Sequence, residues 1–97
     1  MTQKEHLRMI FDDLKSGLRM CVINRYENFV VQGLSFSCDW NSSWRDSYLY
    51  FRGAGSWAKK ATLANLADEL EGCDLNDVVT ESEYERLSGE KFFGWRI

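Results

Sequence analysis

The sequence predicts an α+β fold in which a small antiparallel sheet of three or four strands carries helices packed on one face. Two segments hold apolar residues at helical spacing. The segments between them are short, rich in β-branched and aromatic residues, and separated by polar turns. The chain has 97 residues, so residues 1–97 are expected to form a single domain around one core. The predicted order of elements is α-β-β-β-α-α-α-β.

The first helix is predicted over residues 3–16. Thr2 and Glu5 have the spacing of a capping box, in which each side chain bonds a free backbone N–H at the start of the helix. Gly17 marks the end, because glycine adopts the left-handed conformation that often closes a helix. The apolar stripe of this helix consists of Leu7, Ile10, Phe11, Leu14 and Leu18.

Three strands are predicted after this helix. They cover residues 18–24, 29–38 and 45–52. Tyr48 and Tyr50 share one parity in the third strand. Leu49 and Phe51 share the other, so at most one of these two pairs can face solvent.

A second long helix is predicted over residues 57–71, with Ser56 as its N-cap and Gly72 just beyond its end. The sequence next predicts a short helical turn at residues 75–79, capped by Asp74. The apolar stripe of the long helix consists of Leu63, Leu66, Ala67 and Leu70.

The last part of the chain is expected to form a third helix and a final strand. Thr80 and Glu83 make another capping-box pair at the start of a helix over residues 81–87, and Gly89 follows that helix. Residues 91–97 are rich in aromatic side chains and are predicted to form a C-terminal strand.

The cysteines indicate a reducing compartment. Cys21, Cys38 and Cys73 are odd in number and far apart, unlike the paired cysteines of a secreted disulfide framework. The N-terminus is polar, and no apolar run reaches the length that spans a membrane. The expected location is therefore the cytoplasm, without a signal peptide or a membrane segment.

The residue types do not suggest an enzyme. His6 is the single histidine, so a catalytic triad or dyad has to be built on a residue near the start of a helix. The cysteines form no C-x-x-C pair, which argues against a metal site. Gly53 and Gly55 lack the lysine spacing of a phosphate-binding loop. We expect no catalytic residue, no metal and no cofactor.

Charge is distributed very unevenly along the chain. Residues 1–60 hold nine basic and six acidic side chains, a net charge of +3. Residues 61–90 hold nine acidic side chains and one basic side chain, Arg86, a net charge of −8. The overall charge of −3 therefore conceals an acidic run over residues 68–90. Its carboxylates are Asp68, Glu69, Glu71, Asp74, Asp77, Glu81, Glu83, Glu85 and Glu90.

The acidic run has two interpretations. One is a solvated helical surface that aids solubility. The other is a partner-binding surface, because carboxylates three and four residues apart on a helix lie about 5–6 Å from one another and resemble a row of phosphates. Repulsion among Glu81, Glu83 and Glu85 is expected to be offset only by Arg86. Such a surface suits a basic groove on a partner that handles nucleic acid.

In size, in the run Asp68–Glu90 and in lacking catalytic motifs, the chain resembles small phage-encoded inhibitors, among them anti-CRISPR proteins and DNA mimics. The resemblance is one of type and rests on no shared motif. It implies a non-enzymatic intracellular inhibitor whose acidic face occupies the basic, nucleic-acid-binding surface of a partner complex.

The aromatic residues leave two further functions open. Trp40 and Trp44 are either core residues or exposed anchors for a protein partner. The strand aromatics with Arg45 and Arg52 suggest an alternative, a module that stacks single-stranded bases. A generic accessory subunit is the other alternative. Direct DNA reading by the helix after Gly72 is not expected, since that helix carries carboxylates where phosphate contacts need bases.

Overall fold

The computed structural model describes residues 2–24, 30–38, 47–52 and 56–91. Its helices and strands follow in the order α-β-β-β-β-α-β-α. The helices are α1 (Gln3–Lys15), α2 (Leu63–Glu69) and α3 (Glu81–Ser88). The strands are β1 (Met20–Asn24), β2 (Val30–Cys38), β3 (Ser47–Arg52), β4 (Ser56–Lys60) and β5 (Val78–Thr80).

The α+β class is confirmed, and the described strands form one antiparallel sheet in the order β4-β3-β2-β1-β5. This sheet has five strands, where three or four were expected. The C-terminal strand predicted over residues 91–97 lies outside the described residues except for Lys91, which is not in a strand. None of the described helices is both long enough and apolar enough to cross a membrane.

The Thr2 half of the predicted capping box forms at the start of α1, whereas the Glu5 carboxylate accepts from the Thr2 hydroxyl and not from the Thr2 backbone N–H. The Thr2 hydroxyl accepts a hydrogen bond from the backbone N–H of Glu5 at 3.1 Å and donates one to the Glu5 carboxylate at 3.0 Å. The helix ends at Lys15, and Gly17 follows with a φ of 101°. Only glycine adopts this left-handed conformation without a steric cost, which explains why the helix stops here.

The second helix begins later than predicted. Residues 56–60 form strand β4, so Ser56 is not an N-cap and the prediction of helix over the first residues of 57–71 is wrong. Thr62 caps α2 instead, its hydroxyl accepting from the backbone N–H of Asn65 at 3.1 Å. The Asn65 side chain also donates to the Lys60 carbonyl at 2.8 Å, which fixes the turn between β4 and α2.

The remaining elements follow one another with almost no linker. Asp74 caps a 3₁₀ turn at Leu75–Asp77 by accepting from the Asn76 backbone N–H at 2.9 Å, as predicted. Val78–Thr80 form strand β5, so the helical turn predicted over residues 75–79 is wrong for Val78 and Val79. Its last residue, Thr80, is also the N-cap of α3 and accepts from the Glu83 backbone N–H at 3.2 Å. The predicted third helix is thereby confirmed.

The sheet is covered differently on its two faces. On the first face, α1, α2 and the 3₁₀ turn contribute to a core with residues of β1, β3 and β5; its buried members are Ile10, Phe11, Leu14, Met20, Leu49, Phe51, Leu66, Leu70, Leu75 and Val78. On the second face, Cys21 and Ile23 of β1 pack with Tyr84 of α3. Two helices therefore lie on one face, as expected, but α3 lies on the other.

Candidate binding surface

The fold divides the acidic run between the two faces of the sheet. Its first residues lie on α2 and on the segment that follows, which pack with the first core. The later residues lie on α3, which packs on the second face, except for Glu90, which follows the end of this helix. The first group is Asp68, Glu69, Glu71, Asp74 and Asp77, and the second is Glu81, Glu83, Glu85 and Glu90. The run is thus two acidic regions carried by elements on opposite faces.

Within the described part of the chain, ion pairs hold Glu69, Glu81 and Glu83. Lys59 of β4 lies 2.7 Å from Glu69, whose side chain is only 14% exposed. Arg19 lies 3.9 Å from Glu81. Arg86 pairs with Glu83 one helical turn away. The expectation that Arg86 alone offsets the charge of α3 is therefore wrong, because Arg19 also pairs with a carboxylate of this helix, Glu81.

Other carboxylates remain available for a partner. Asp68, Glu71 and Glu90 are exposed and Glu85 is half-buried. None of these four forms an ion pair within the described residues. Asp74 is exposed but serves as the cap of the 3₁₀ turn.

The acidic character of α3 also acts on a buried thiol. Cys21 is fully buried beneath this helix. Burial, with the negative charges of Glu81 and Glu85, raises the pKa of the Cys21 thiol to about 12. A thiol with so high a pKa stays protonated at neutral pH and is a poor nucleophile and metal ligand. Cys21 is therefore a packing residue.

His6 and Cys73 line a groove of about 650 Å³ between the start of α1 and the 3₁₀ turn. Asp74 lies at the same groove. The part of the chain that the structure describes contains no group of three or more side chains arranged to hold a metal ion. This groove therefore offers a shallow polar surface without the geometry of a metal centre.

The parity argument for strand β3 holds in the structure. Leu49 and Phe51 are 1% and 0% exposed and belong to the first core. Tyr48 and Tyr50 are half-buried and lie on the second face. Neither tyrosine makes a side-chain hydrogen bond or ring contact within the described residues. Trp40, Trp44 and Arg45 lie outside the described residues, so their predicted roles stay predictions.

Sequence reasoning did not find the two basic residues that pair with the acidic run, Arg19 and Lys59. Both pairs depend on the sheet. The backbone N–H of Glu81 donates to the Arg19 carbonyl at 3.0 Å, which brings α3 beside the start of β1. Lys59 belongs to the strand that sequence analysis took for helix. Neither pair has a signal in the local sequence.

Comparisons of the sequence with protein-family models and with curated proteins, and of the fold with solved structures, found no match.

Proposed function

We propose that this protein is a non-enzymatic intracellular binding protein that inhibits its partner. Its acidic α3 surface, defined as Glu81, Glu83, Glu85 and Glu90, occupies a basic, nucleic-acid-binding surface of that partner. The observation that carries the proposal is the excess of negative charge on this surface. Residues 81–90 hold four carboxylates against Arg86. Even with Arg19 paired to Glu81, Glu85 and Glu90 have no internal cation within the described residues.

The spacing of these carboxylates supports the same role. Glu81 and Glu85 are four residues apart on α3, so they project from the same side of the helix about 5–6 Å from each other. Two carboxylates at this spacing resemble neighbouring phosphates of the nucleic-acid backbone that a basic groove attracts.

The acidic residues of α2 are less suited to this role. Glu69 is mostly covered and is held by Lys59. Asp74 is engaged as a cap. Glu71 lies at a groove that it shares with Lys4 of α1, so the potential there is partly neutralised. Partner binding is therefore assigned to the acidic α3 surface and not to the whole acidic run.

The proposed setting is the cytoplasm, since Cys21 and Cys73 are free thiols, as expected in a reducing compartment. Small phage-encoded anti-defence inhibitors, including anti-CRISPR proteins that mimic DNA, are the class of protein that this proposal describes. The proposed target is a nucleic-acid-handling complex. Direct nucleic-acid binding by α3 is not proposed, because its carboxylates would repel phosphates.

Affinity capture with a matched pair of charge-reversal variants tests the proposal. The immobilised wild type, Glu85→Lys/Glu90→Lys and Asp68→Lys/Glu71→Lys are each incubated with a bacterial lysate. Both variants reverse two carboxylates that lack an internal ion pair within the described residues, so neither breaks a salt bridge found there. We expect a nucleic-acid-binding protein to be retained by the wild type and by the α2 variant, and to be lost with the α3 variant.

Added double-stranded DNA should release the retained protein, because DNA and the immobilised protein compete for the same basic surface of that partner. Equal retention by the two variants, or retention that DNA does not affect, contradicts the proposal. Thermal unfolding of each variant shows whether the fold is intact. We expect similar midpoints for all three proteins, because substitutions of surface side chains without an ion pair usually change the free energy of unfolding by about 0.5 kcal/mol or less.

A further inference from the structure

Leu18 is an exposed leucine in the turn that follows α1. Sequence analysis predicted it in the apolar stripe of this helix, but the helix ends at Lys15 and Gly17 adopts the left-handed conformation. Leu14 is 0% exposed, whereas Leu18 is 44% exposed. The expectation that Leu18 belongs to the apolar stripe is therefore wrong, and nearly half of this side chain is open to solvent or to a partner.

Leu18 lies directly beside the acidic α3 surface. It lines a shallow groove of about 340 Å³ together with two carboxylates of α3, Glu81 and Glu85. Arg19 also lines this groove and lies 3.9 Å from Glu81. Glu85 forms no ion pair within the described residues. The groove therefore combines an exposed apolar side chain with a carboxylate that has no internal cation there.

The ion pair of Arg19 and Glu81 leaves Glu85 with the net charge of this groove. Glu85 follows Glu81 by one helical turn, so the two carboxylates lie on the same side of α3 about 5–6 Å apart. A guanidinium group from the chain itself therefore already lies beside one of them. Glu85 offers a second cation the same kind of partner.

The two groups that line this groove select the chemistry of its occupant. Glu85 repels an anionic group. A purely apolar side chain would cover Leu18 but would also take water from the Glu85 carboxylate without giving it a partner, which is costly. A lysine or arginine side chain satisfies both groups, because its aliphatic part packs on apolar surface while its charged end pairs with a carboxylate.

We propose that this groove receives one basic side chain of the partner when the acidic α3 surface binds. The aliphatic part of that side chain packs on Leu18, and its charged end pairs with Glu85. Exposed ion pairs contribute little affinity by themselves, so a contact that also excludes water makes Leu18 an anchor of the interface. This inference rests on the proposed function and adds to it an apolar anchor and the chemistry of the contact.

Binding of a labelled oligo-arginine peptide at several salt concentrations tests both contacts. Sodium chloride screens the attraction to Glu85 but not the apolar contact with Leu18. We expect Leu18→Ser to weaken binding about three- to tenfold, because the exposed part of the leucine is no longer buried. The factor should be similar at each salt concentration. Glu85→Gln should weaken binding most at low salt, and its effect should shrink as salt rises.

Met9 provides a matched control. It is the other exposed large hydrophobic residue in the described part of the chain, at 49%, and it lies on α1 beside grooves that include no residue of α3. Met9→Ser should therefore bind the peptide as the wild type does. A second measurement needs no variant: on titration of the wild type with the peptide, the methyl NMR signals of Leu18 should shift and that of Met9 should not.

The outcomes separate this inference from the proposed function. Leu18 methyl signals that do not move, or equal binding by Leu18→Ser and Met9→Ser, overturn the inference. Binding that depends on Leu18 but not on Glu85 shows an apolar occupant and also overturns it. The proposed function still stands in these cases if Glu85→Lys/Glu90→Lys loses the peptide. If that variant binds like the wild type, or the wild type does not bind the peptide at low salt, both proposals fail.

Discussion

At the scale of single residues, Cys21 links the packing of the second face to pH. Its thiol is neutral when protonated, and burial raises its pKa to about 12 from an ordinary value of 9.0. Above the lower value the unfolded chain loses this proton, whereas the folded protein keeps it. The unfolded state then binds fewer protons than the folded state, so the free energy of unfolding falls as the pH rises.

We therefore predict that the protein loses stability between about pH 9 and pH 12, by up to about 1.4 kcal/mol per pH unit from this group. The measurement is urea unfolding at a series of pH values for the wild type and for Cys21→Ala. The alanine variant is less stable at neutral pH because it loses buried contacts. Its stability should nevertheless fall less steeply above pH 9. Parallel pH profiles for the two proteins would show that the Cys21 thiol is not held protonated.

Residue-scale predictions succeeded where the pattern is local. The alternation of Tyr48 and Tyr50 with Leu49 and Phe51 follows directly from strand geometry, and the structure buries the apolar pair. The acidic run was equally plain in the sequence, but its internal partners were not. Arg19 meets Glu81 only because β5 pairs with β1, and no local pattern specifies that register.

At the scale of elements, the caps were the most reliable signals. Thr2, Asp74 and Thr80 each cap the helical element that sequence analysis assigned to them. Ser56 has the same capping chemistry, yet it begins a strand. A cap residue permits a helix but does not require one, and pairing with β3 decided the conformation of residues 56–60. Thr62 was the cap that sequence analysis missed.

The capping role of Thr62 gives a prediction for α2. Its hydroxyl satisfies the Asn65 backbone N–H, one of the free donors at the start of this short helix. We predict that Thr62→Ala lowers the free energy of unfolding by about 1 kcal/mol. Thr62→Ser keeps the acceptor oxygen and should cost much less. Urea unfolding midpoints measure both, and a midpoint for Thr62→Ala equal to that of the serine variant would show that the cap contributes nothing.

At the scale of the whole molecule, the α+β class could be predicted because hydrophobic periodicity reports which faces of each element are buried. The assignment of α3 to the second face could not. Tyr84 and Leu87 give α3 an apolar stripe, but a stripe shows only that a helix is covered, not by which face of a sheet. That choice follows from β5, whose three residues pair with β1 and lead directly into α3.

The position of α3 determines how the charge of the molecule acts. Under the proposed function, the field that steers a partner comes from the acidic α3 surface. Exposed charges act over about 10 Å at 0.1 M salt and over shorter distances as salt rises. Charges of this kind change the rate of association more than the rate of dissociation.

We predict that the association rate of the protein with a labelled oligo-arginine peptide, used as a probe for a basic partner surface, falls steeply as sodium chloride is raised, whereas the dissociation rate changes little. Stopped-flow fluorescence with a labelled peptide measures both rates. In Glu85→Lys/Glu90→Lys the association rate at low salt should drop, and added salt should lower it less or even raise it, because the local field has been reversed. In Asp68→Lys/Glu71→Lys the salt dependence should stay close to that of the wild type. If the two variants respond to salt alike, steering comes from the net charge of the chain and not from α3.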